Sequence, residues 1–297
     1  MMNEKVSFCI PAYNCEDTIR KCIESILNLT YSNKEIIIVE DGSTDRTNEI
    51  IKELVKKYGD ITYIHNDGRL GRGQARQKAL ENATGEYIAL LDGDGFITDK
   101  NWVEKMLSNF TDEKIAAVFS LSKAINSESS IARYWDYLTT TIFTRGQITR
   151  GAGTGNTLIK KSVLDEVGGF DVRLWSCEDC DLSEKISKKG YVFYYEPDCL
   201  MSREQPSSIK EVLKKEIDYT FWHGKRAHYN NTFLKLFVVR FLVLLALPIF
   251  VLYCLYISVK MYMHTKDFAS FWFLFFKTVM AILAPFILLS SLYRNEL

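Results

Sequence analysis

Along the first two hundred residues, short apolar runs alternate with stretches whose apolar positions recur every three or four residues. Residues 5–10, 35–40 (EIIIVE), 61–65 and 87–91 read as strands. Between them, residues 17–29 carry Ile19, Cys22, Ile23, Ile26 and Leu27 at helical spacing. Residues 44–58 place Ile50, Ile51, Leu54, Val55 and Tyr58 on one face, with Ser43 or Asp45 available as a cap, and residues 73–82 form a helix of small side chains. This alternation predicts an α/β fold, a mostly parallel sheet with helices on its faces. Ligands bind such sheets outside the carboxyl ends of the strands. The polar residues gather there: Pro11-Ala12-Tyr13-Asn14 after the first strand, Asp41-Gly42-Ser43 after the second and Asp92-Gly93-Asp94 after the fourth. The first strand is not followed by GxGxxG, and no GxxxxGK[ST] occurs, which excludes the dinucleotide and P-loop phosphate cradles.

The pattern changes near residue 236. Residues 241–259 (FLVLLALPIFVLYCLYISV) are uncharged, and a second apolar stretch over 268–293 is interrupted only by Lys277. Apolar side chains lie all round both, so a transmembrane hairpin is expected, joined by the polar link 260–267, rather than a buried hairpin. Lys277 then either snorkels toward the outer interface or marks 268–276 as lying along it. Residues 210–236 mix bases with Phe221, Trp222, Tyr229 and Phe233, as a membrane-surface or soluble helix would. The expected organisation is an α/β domain over 1–208, a helical linker over 209–235 and the hairpin over 236–297.

Composition narrows the partners. Thirty-seven basic and 37 acidic side chains cancel, which argues against nucleic acid. From residue 236 onward there are five bases and two acids, so a neutral chain divides into a basic tail and an acidic front. Lys225, Arg226, Lys235, Arg240 and Arg294 border one side of the hairpin and Lys260 and Lys266 the other, which predicts both termini in the cytosol. Glu4 and Lys5 lead straight into a strand, so no signal peptide is expected and the seven cysteines are expected to be reduced. Cys177 and Cys180 form a lone CxxC, read as two buried thiols.

Asp92 and Asp94 carry the sharpest chemistry. Two carboxylates one residue apart beyond an apolar strand repel unless a cation lies between them, and hard oxygen ligands suit Mg²⁺ or Mn²⁺ beside a phosphate. The other reading is an acidic turn, since Asp-Gly is a common turn pair. Glu178-Asp179 opens a helix whose first-turn acids suit the macrodipole. Gly151-Ala-Gly-Thr-Gly-Asn156 lets backbone approach a ligand closely. Trp175 is either a platform under a sugar ring or core packing, and the aromatics Tyr134, Trp135, Tyr137 and Phe143 are candidates for an acceptor groove.

Six segments stand in one order: FCIPAYNCEDTI, EIIIVEDGSTDRT, GRGQARQKAL, GEYIALLDGDG, GTGNTLIKKSVLDEVGGFD and EDCDLSEKISKKGY. Together they resemble the family 2 glycosyltransferases of GT-A fold, over roughly residues 5–206. The resemblance implies that Pro11, Ala12, Tyr13 and Asn14 line a nucleotide pocket, that Asp41 reads the base and that Arg72 or Arg76 approaches the nucleotide. It implies that Asp92 and Asp94 hold a divalent cation on the diphosphate of a nucleoside-diphosphate sugar. It gives Asp179, beside Glu178, the part of general base, with Asp181 supporting, and sets Asn156 beside the donor sugar. Many relatives have a histidine metal ligand where this chain reads Met201-Ser202-Arg203, so either the metal is held by fewer protein ligands and more weakly, or Arg203 meets the diphosphate instead as a cationic substitute. The QxxRW motif of processive synthases is missing; the nearest place reads Trp222-His223-Gly224-Lys225-Arg226. The expectation is metal-dependent, inverting transfer of one sugar to a lipid-linked saccharide at the cytosolic membrane face. The alternatives are a polyprenyl-phosphate acceptor, a non-catalytic sugar-nucleotide-binding scaffold and a soluble nucleotidyltransferase.

Overall fold

The structure, a computed structural model, describes residues 4–140 and 146–293. Phe143 and Arg294 lie outside the described residues. The chain divides into two compact units, one built from residues 1–123 and 143–203 and the other from 124–142 and 204–297.

The first unit opens with β1 (Val6–Ala12), α1 (Ile19–Leu27), β2 (Lys34–Glu40), α2 (Thr47–Tyr58), β3 (Ile61–His65), α3 (Arg72–Glu81), β4 (Tyr87–Leu91), β5 (Gly95–Ile97), α4 (Trp102–Leu107), β6 (Ile115–Phe119) and β7 (Ser122–Ala124). After α5 (Ser130–Thr140), which belongs to the second unit, it resumes with β8 (Ile148–Thr149), β9 (Asn156–Lys160), α6 (Lys161–Val167), α7 (Glu178–Lys188), β10 (Val192–Tyr195) and β11 (Met201–Arg203). Eight strands form one sheet in the order β3-β2-β1-β4-β9-β6-β10-β8, and a small sheet runs β5-β11-β7.

Strand periodicity explains why both faces of the large sheet are covered. Phe8 and Ile10 of β1, with Ile36 and Ile38 of β2, face α1, α2 and α4. Cys9, Ile37 and Val39 between them face α3, α6 and α7. Side chains alternate across a strand, so a continuous apolar run feeds two cores. The small residues of α3 (Gly73, Ala75 and Ala79) sit on the second face.

The expectation of a mostly parallel sheet holds, with two of the eight strands reversed. The strands β3, β2, β1 and β4 are parallel, but β9 is antiparallel to both β4 and β6, and β8 is antiparallel to β10. The reversal has a consequence: Leu91 at the end of β4 pairs with Asn156 at the start of β9. The glycine-rich segment before β9 therefore meets the carboxyl end of β4, where the aspartates lie.

The second unit joins α5 to α8 (Ile209–Tyr229), α9 (Phe233–Leu245), α10 (Leu247–Thr265) and α11 (Trp272–Ser290). A capping box, Ser208 with Glu211, starts α8. The apolar run 241–259 is not one helix. It breaks at Ala246, because Pro248 lacks an N–H and its ring clashes with the carbonyl four residues back, so the chain restarts with Pro248 in the first turn of α10. Two helical stretches, Leu247–Thr265 and Phe268–Ser290, are long and apolar enough to cross a membrane.

Lys277 has a partner within the chain: its Nζ is 2.8 Å from Glu216 Oε1 of α8. Near the other end of α11, a Cβ on Gly224 would lie 2.2 Å from Ser291 Oγ, so α8 tracks α11 closely and glycine is what permits it. Lys225 is buried near the Phe221 ring rather than standing as a flanking surface charge. The link before α11 is tied to α5: Asp267 accepts from Arg133 Nε and, at 3.0 Å, from Tyr137 Oη. Tyr134 is fully buried against Phe276, so α5 contributes core aromatics here, not an open groove.

Candidate active site

The parallel registers bring the ends of β1, β2 and β4 together, with Ala12 opposite Glu40 and Cys9 opposite Leu90. Asn14 then turns in the left-handed region at φ 47°. Its backbone N–H donates to Ser43 Oγ at 3.0 Å, and its Oδ1 accepts from the Thr44 N–H at 2.9 Å. The Pro11–Asn14 turn is thus stitched to the loop after β2. Asp41 is buried, and its carboxylate accepts from Asn66 Nδ2 and from the backbone N–H groups of Leu70 and Gly71 at 2.9–3.0 Å. It fixes the loop after β3. That loop lays Arg69 over the Tyr13 ring at 4.3 Å and near the Trp175 ring at 5.4 Å. Three planar groups therefore gather beside the first two strands.

The carboxylates are cross-linked by arginines. Arg76 is 2% exposed and contacts both Asp92 Oδ1 and Glu178 Oε1. Arg203 of β11 contacts Asp94 Oδ2 and lies 3.7 Å from Asp92 Oδ2. Burial by itself would raise the Asp92 carboxyl, but Arg76, Arg203 and Arg72 outweigh it and hold the group below the usual carboxylate range. Glu178 goes the other way. Burial and its neighbour Asp179 push it up, and Arg76, shared with Asp92, does not compensate fully. Glu178 is therefore an internal anchor, sealed at 1% exposure.

Asp179 has a different setting. It is partly exposed at the first turn of α7, and its Oδ1 accepts from the Cys180 N–H at 2.8 Å. The chain enters α7 through Cys177 in the left-handed region at φ 62°, which turns the acids inward. The glycine segment runs between the two acid pairs. A Cβ on Gly155 would lie 2.7 Å from Asp92 Oδ2, and one on Gly153 3.9 Å from Asp179 Oδ2. Asp181 is buried and pairs with Lys185 one turn on, a helix contact away from the cleft. The seven cysteines form no disulfide. Cys177 is buried, and its thiol is pushed up by the hydrogen bond to Cys180 and by burial, as expected of an inert thiol.

The structure thus brings together Tyr13, Asn14, Asp41, Arg72, Arg76, Asp92, Asp94, Trp175, Glu178, Asp179 and Arg203, with Pro11 and Ala12 as the strand beneath. Arg72 opens α3, and its N–H donates to the Trp175 carbonyl at 3.3 Å, so the GRG segment grips the chain leading into α7. Gly71 is pressed against the Trp175 ring, where a Cβ would lie 2.6 Å away. Asn156 stands apart from its expected place beside a sugar. It is buried, accepts from Trp102 Nε1, and gives both amide hydrogens to the Leu121 and Cys199 carbonyls. It is a clasp beneath the site.

Sequence reasoning missed Arg69 and the bridge from Arg76 to Glu178. The spacing of GRLGRGQAR shows three arginines at this corner. Only the fold tells which one faces an aromatic and which one is buried.

Asp92 and Asp94 suit a hard divalent cation, as two oxygen donors with Asp94 half open to solvent. Residues 7–168 match the model of the family described as Glycosyl transferase family 2. A poly-beta-1,6-N-acetyl-D-glucosamine synthase of Staphylococcus epidermidis is 32% identical over 224 residues, which are 72% of this chain and 53% of that protein. This chain spans about half the length of the curated relatives it matches. Among solved structures, a mannosyltransferase from Pyrobaculum calidifontis in complex with GDP-Man and Mn²⁺ aligns with 99% of this chain and 88% of its own, at TM-score 0.66 and 16% identity. The TarS 1–349 structure from S. aureus aligns with 73% of this chain and 65% of its own, at TM-score 0.53 and 19% identity. The chain belongs to glycosyl transferase family 2 and has a GT-A-like mixed sheet with flanking helices, followed by two candidate transmembrane helices.

Proposed function

We propose that this family 2 member moves one sugar, with inversion, from a nucleoside-diphosphate sugar to a hydroxyl of a lipid-linked saccharide at the cytosolic face of a membrane. One observation carries the reading: Arg76 ties Asp92 to Glu178, so the aspartates suited to a divalent cation and the helix carrying the partly exposed Asp179 are joined. The Tyr13 ring and Arg69 offer flat surfaces for a nucleobase, and the loop fixed by Asp41 holds them in place. Asp92 and Asp94 are the residues that would hold Mg²⁺ or Mn²⁺. Such an ion, when bound, neutralises the diphosphate and improves it as a leaving group.

The chain's own chemistry centres on Asp179. A sugar hydroxyl is a weak nucleophile, and a carboxylate within reach takes its proton as the new bond forms. Departure of the nucleoside diphosphate breaks the anomeric bond on the opposite face, and the proton leaves with Asp179. The backbone at Gly153 and Gly155 admits donor and acceptor between the acid pairs. Inversion rests on the family resemblance, and the GDP-Man and Mn²⁺ of the mannosyltransferase support the metal and the donor class. The two candidate spans support a lipid-linked acceptor.

The relatives support a second reading. Their name is that of a polymer synthase, so repeated addition is the alternative, and the length of the product separates the two. The test incubates the full chain with a panel of nucleoside-diphosphate sugars, Mn²⁺ and lipid-linked oligosaccharides. The expected result is free nucleoside diphosphate only when acceptor is present, with product longer by one sugar. A ladder of products favours polymerisation. If no donor raises the melting temperature and none is consumed, the assignment falls.

Gly155→Ala bears on the same cleft. The new methyl meets the Asp92 carboxylate, and a displacement of about 1 Å at a reacting centre costs roughly 100-fold. Turnover is expected to fall by about that factor with the melting temperature nearly unchanged. Wild-type turnover would show that the glycine segment does not border the reacting groups.

A further inference from the structure

Arg203 stands out because its position is set by strand pairing. It lies opposite Gly95 in the antiparallel β5–β11 pair, and Gly95 directly follows Asp94. A Cβ on Gly95 would lie 3.6 Å from the Arg203 Cβ, so the two strands are tightly apposed. The guanidinium contacts Asp94 Oδ2 with one nitrogen and lies 3.7 Å from Asp92 Oδ2 with the other. The oxygens that suit a divalent ion are thus already shared with a cation belonging to the chain. The second oxygen of Asp92 is engaged by Arg76. Asp92, Asp94, Glu178 and Asp179 face Arg72, Arg76 and Arg203, so charge in the cleft is close to balance before any ligand enters.

A divalent ion arriving alone meets this guanidinium at the same oxygens and is repelled by it. A diphosphate changes the balance. It offers Arg203 pairs of anionic oxygens for bidentate contact with the planar guanidinium, and releases the aspartates. Arg203 is suited to the exchange: its side chain is 22% exposed, whereas Arg76 is sealed at 2%.

We propose that Arg203 is a tethered counter-ion that keeps the metal off the nucleotide-free enzyme, so that cation and nucleoside diphosphate bind cooperatively. This rests on the donor-site reading above. By linkage, the diphosphate tightens metal binding by the same factor as the metal tightens the diphosphate, and such couplings span about 5–150-fold. Arg203 is a positioning residue here, and its signature is thermodynamic.

The experiment titrates Mn²⁺ into the full chain in detergent, following free Mn²⁺ by electron paramagnetic resonance, alone and with UDP or GDP. Wild type is expected to bind Mn²⁺ weakly alone and about tenfold or more tightly with one of the nucleotides. Arg203→Gln is expected to bind Mn²⁺ alone about tenfold more tightly than wild type, with little further gain from nucleotide. Arg203→Lys keeps the charge, so it retains the weak binding of Mn²⁺ alone. The proposal is overturned if Arg203→Gln leaves Mn²⁺ affinity and nucleotide enhancement as in wild type, or if wild type binds Mn²⁺ equally well with and without nucleotide. If none of the three proteins binds nucleotide under any condition, the donor-site reading fails and this one with it.

Discussion

Asp179→Asn is expected to slow sugar transfer by about 10²–10⁴-fold, the usual contribution of a positioned general base. The exchange is nearly isosteric. Asn Oδ1 still accepts the Cys180 N–H, so α7 keeps its first turn and the cleft its shape. What disappears is the basic oxygen. Donor affinity is expected to hold, because Asp92 and Asp94 keep their arginine partners Arg76 and Arg203. Single-turnover rates at saturating donor, with calorimetric donor binding, separate the two effects. Glu178 cannot replace it: sealed by Arg76, it has no path to an acceptor. The same variant discriminates acceptors. A polyprenyl phosphate is already anionic and needs no base, so a small effect of Asp179→Asn would turn the assignment toward that class.

Much of this was legible in the residues because period-2 burial and short motifs are local. EIIIVE could only be a strand buried on both faces, and the aspartates beyond the fourth strand could only sit at its carboxyl end. Direction was not legible. Residues 157–159 form an apolar run that fits a sheet either way round, and only the return path of the chain makes β9 antiparallel. The break at Ala246 was written in Pro248, yet an unbroken run of apolar residues outweighed it. Membership of α5 in the second unit depends on Tyr134 meeting Phe276 and Arg133 meeting Asp267, contacts separated by well over a hundred residues. The site shows the same limit. Sequence gives the sign of Arg76 and Arg203 but not their partners, which lie 102 and 109 residues away at Glu178 and Asp94. Asn156 looked like a ligand group because it ends a glycine-rich segment. Its amide had closer work, joining Trp102, Leu121 and Cys199.

Arg76→Met is expected to cost about 3–5 kcal/mol of stability, because it strands a buried carboxylate. Asp92 retains Arg203 nearby, so the stranded group is mainly Glu178. That predicts a pH signature. Glu178 is already pushed above the ordinary glutamate range by burial, and losing Arg76 raises it further. A group whose folded pKa exceeds its unfolded value binds more protons in the folded state. Its penalty is absent below the unfolded value of about 4.3 and grows as pH rises toward the folded one. The variant should therefore lose more stability relative to wild type at pH 8 than at pH 5. Adding Glu178→Gln removes the stranded charge, so the double variant should recover much of the loss and most of the pH difference. Neither variant should transfer sugar at a normal rate, since Asp92 and α7 lose their common anchor. Thermal melts of the three proteins at the two pH values check this. Equal losses at both pH values, with no recovery in the double variant, would show that Arg76 acts through its bulk and not its charge. The two halves of the cleft would then need another link than the one drawn through Arg76.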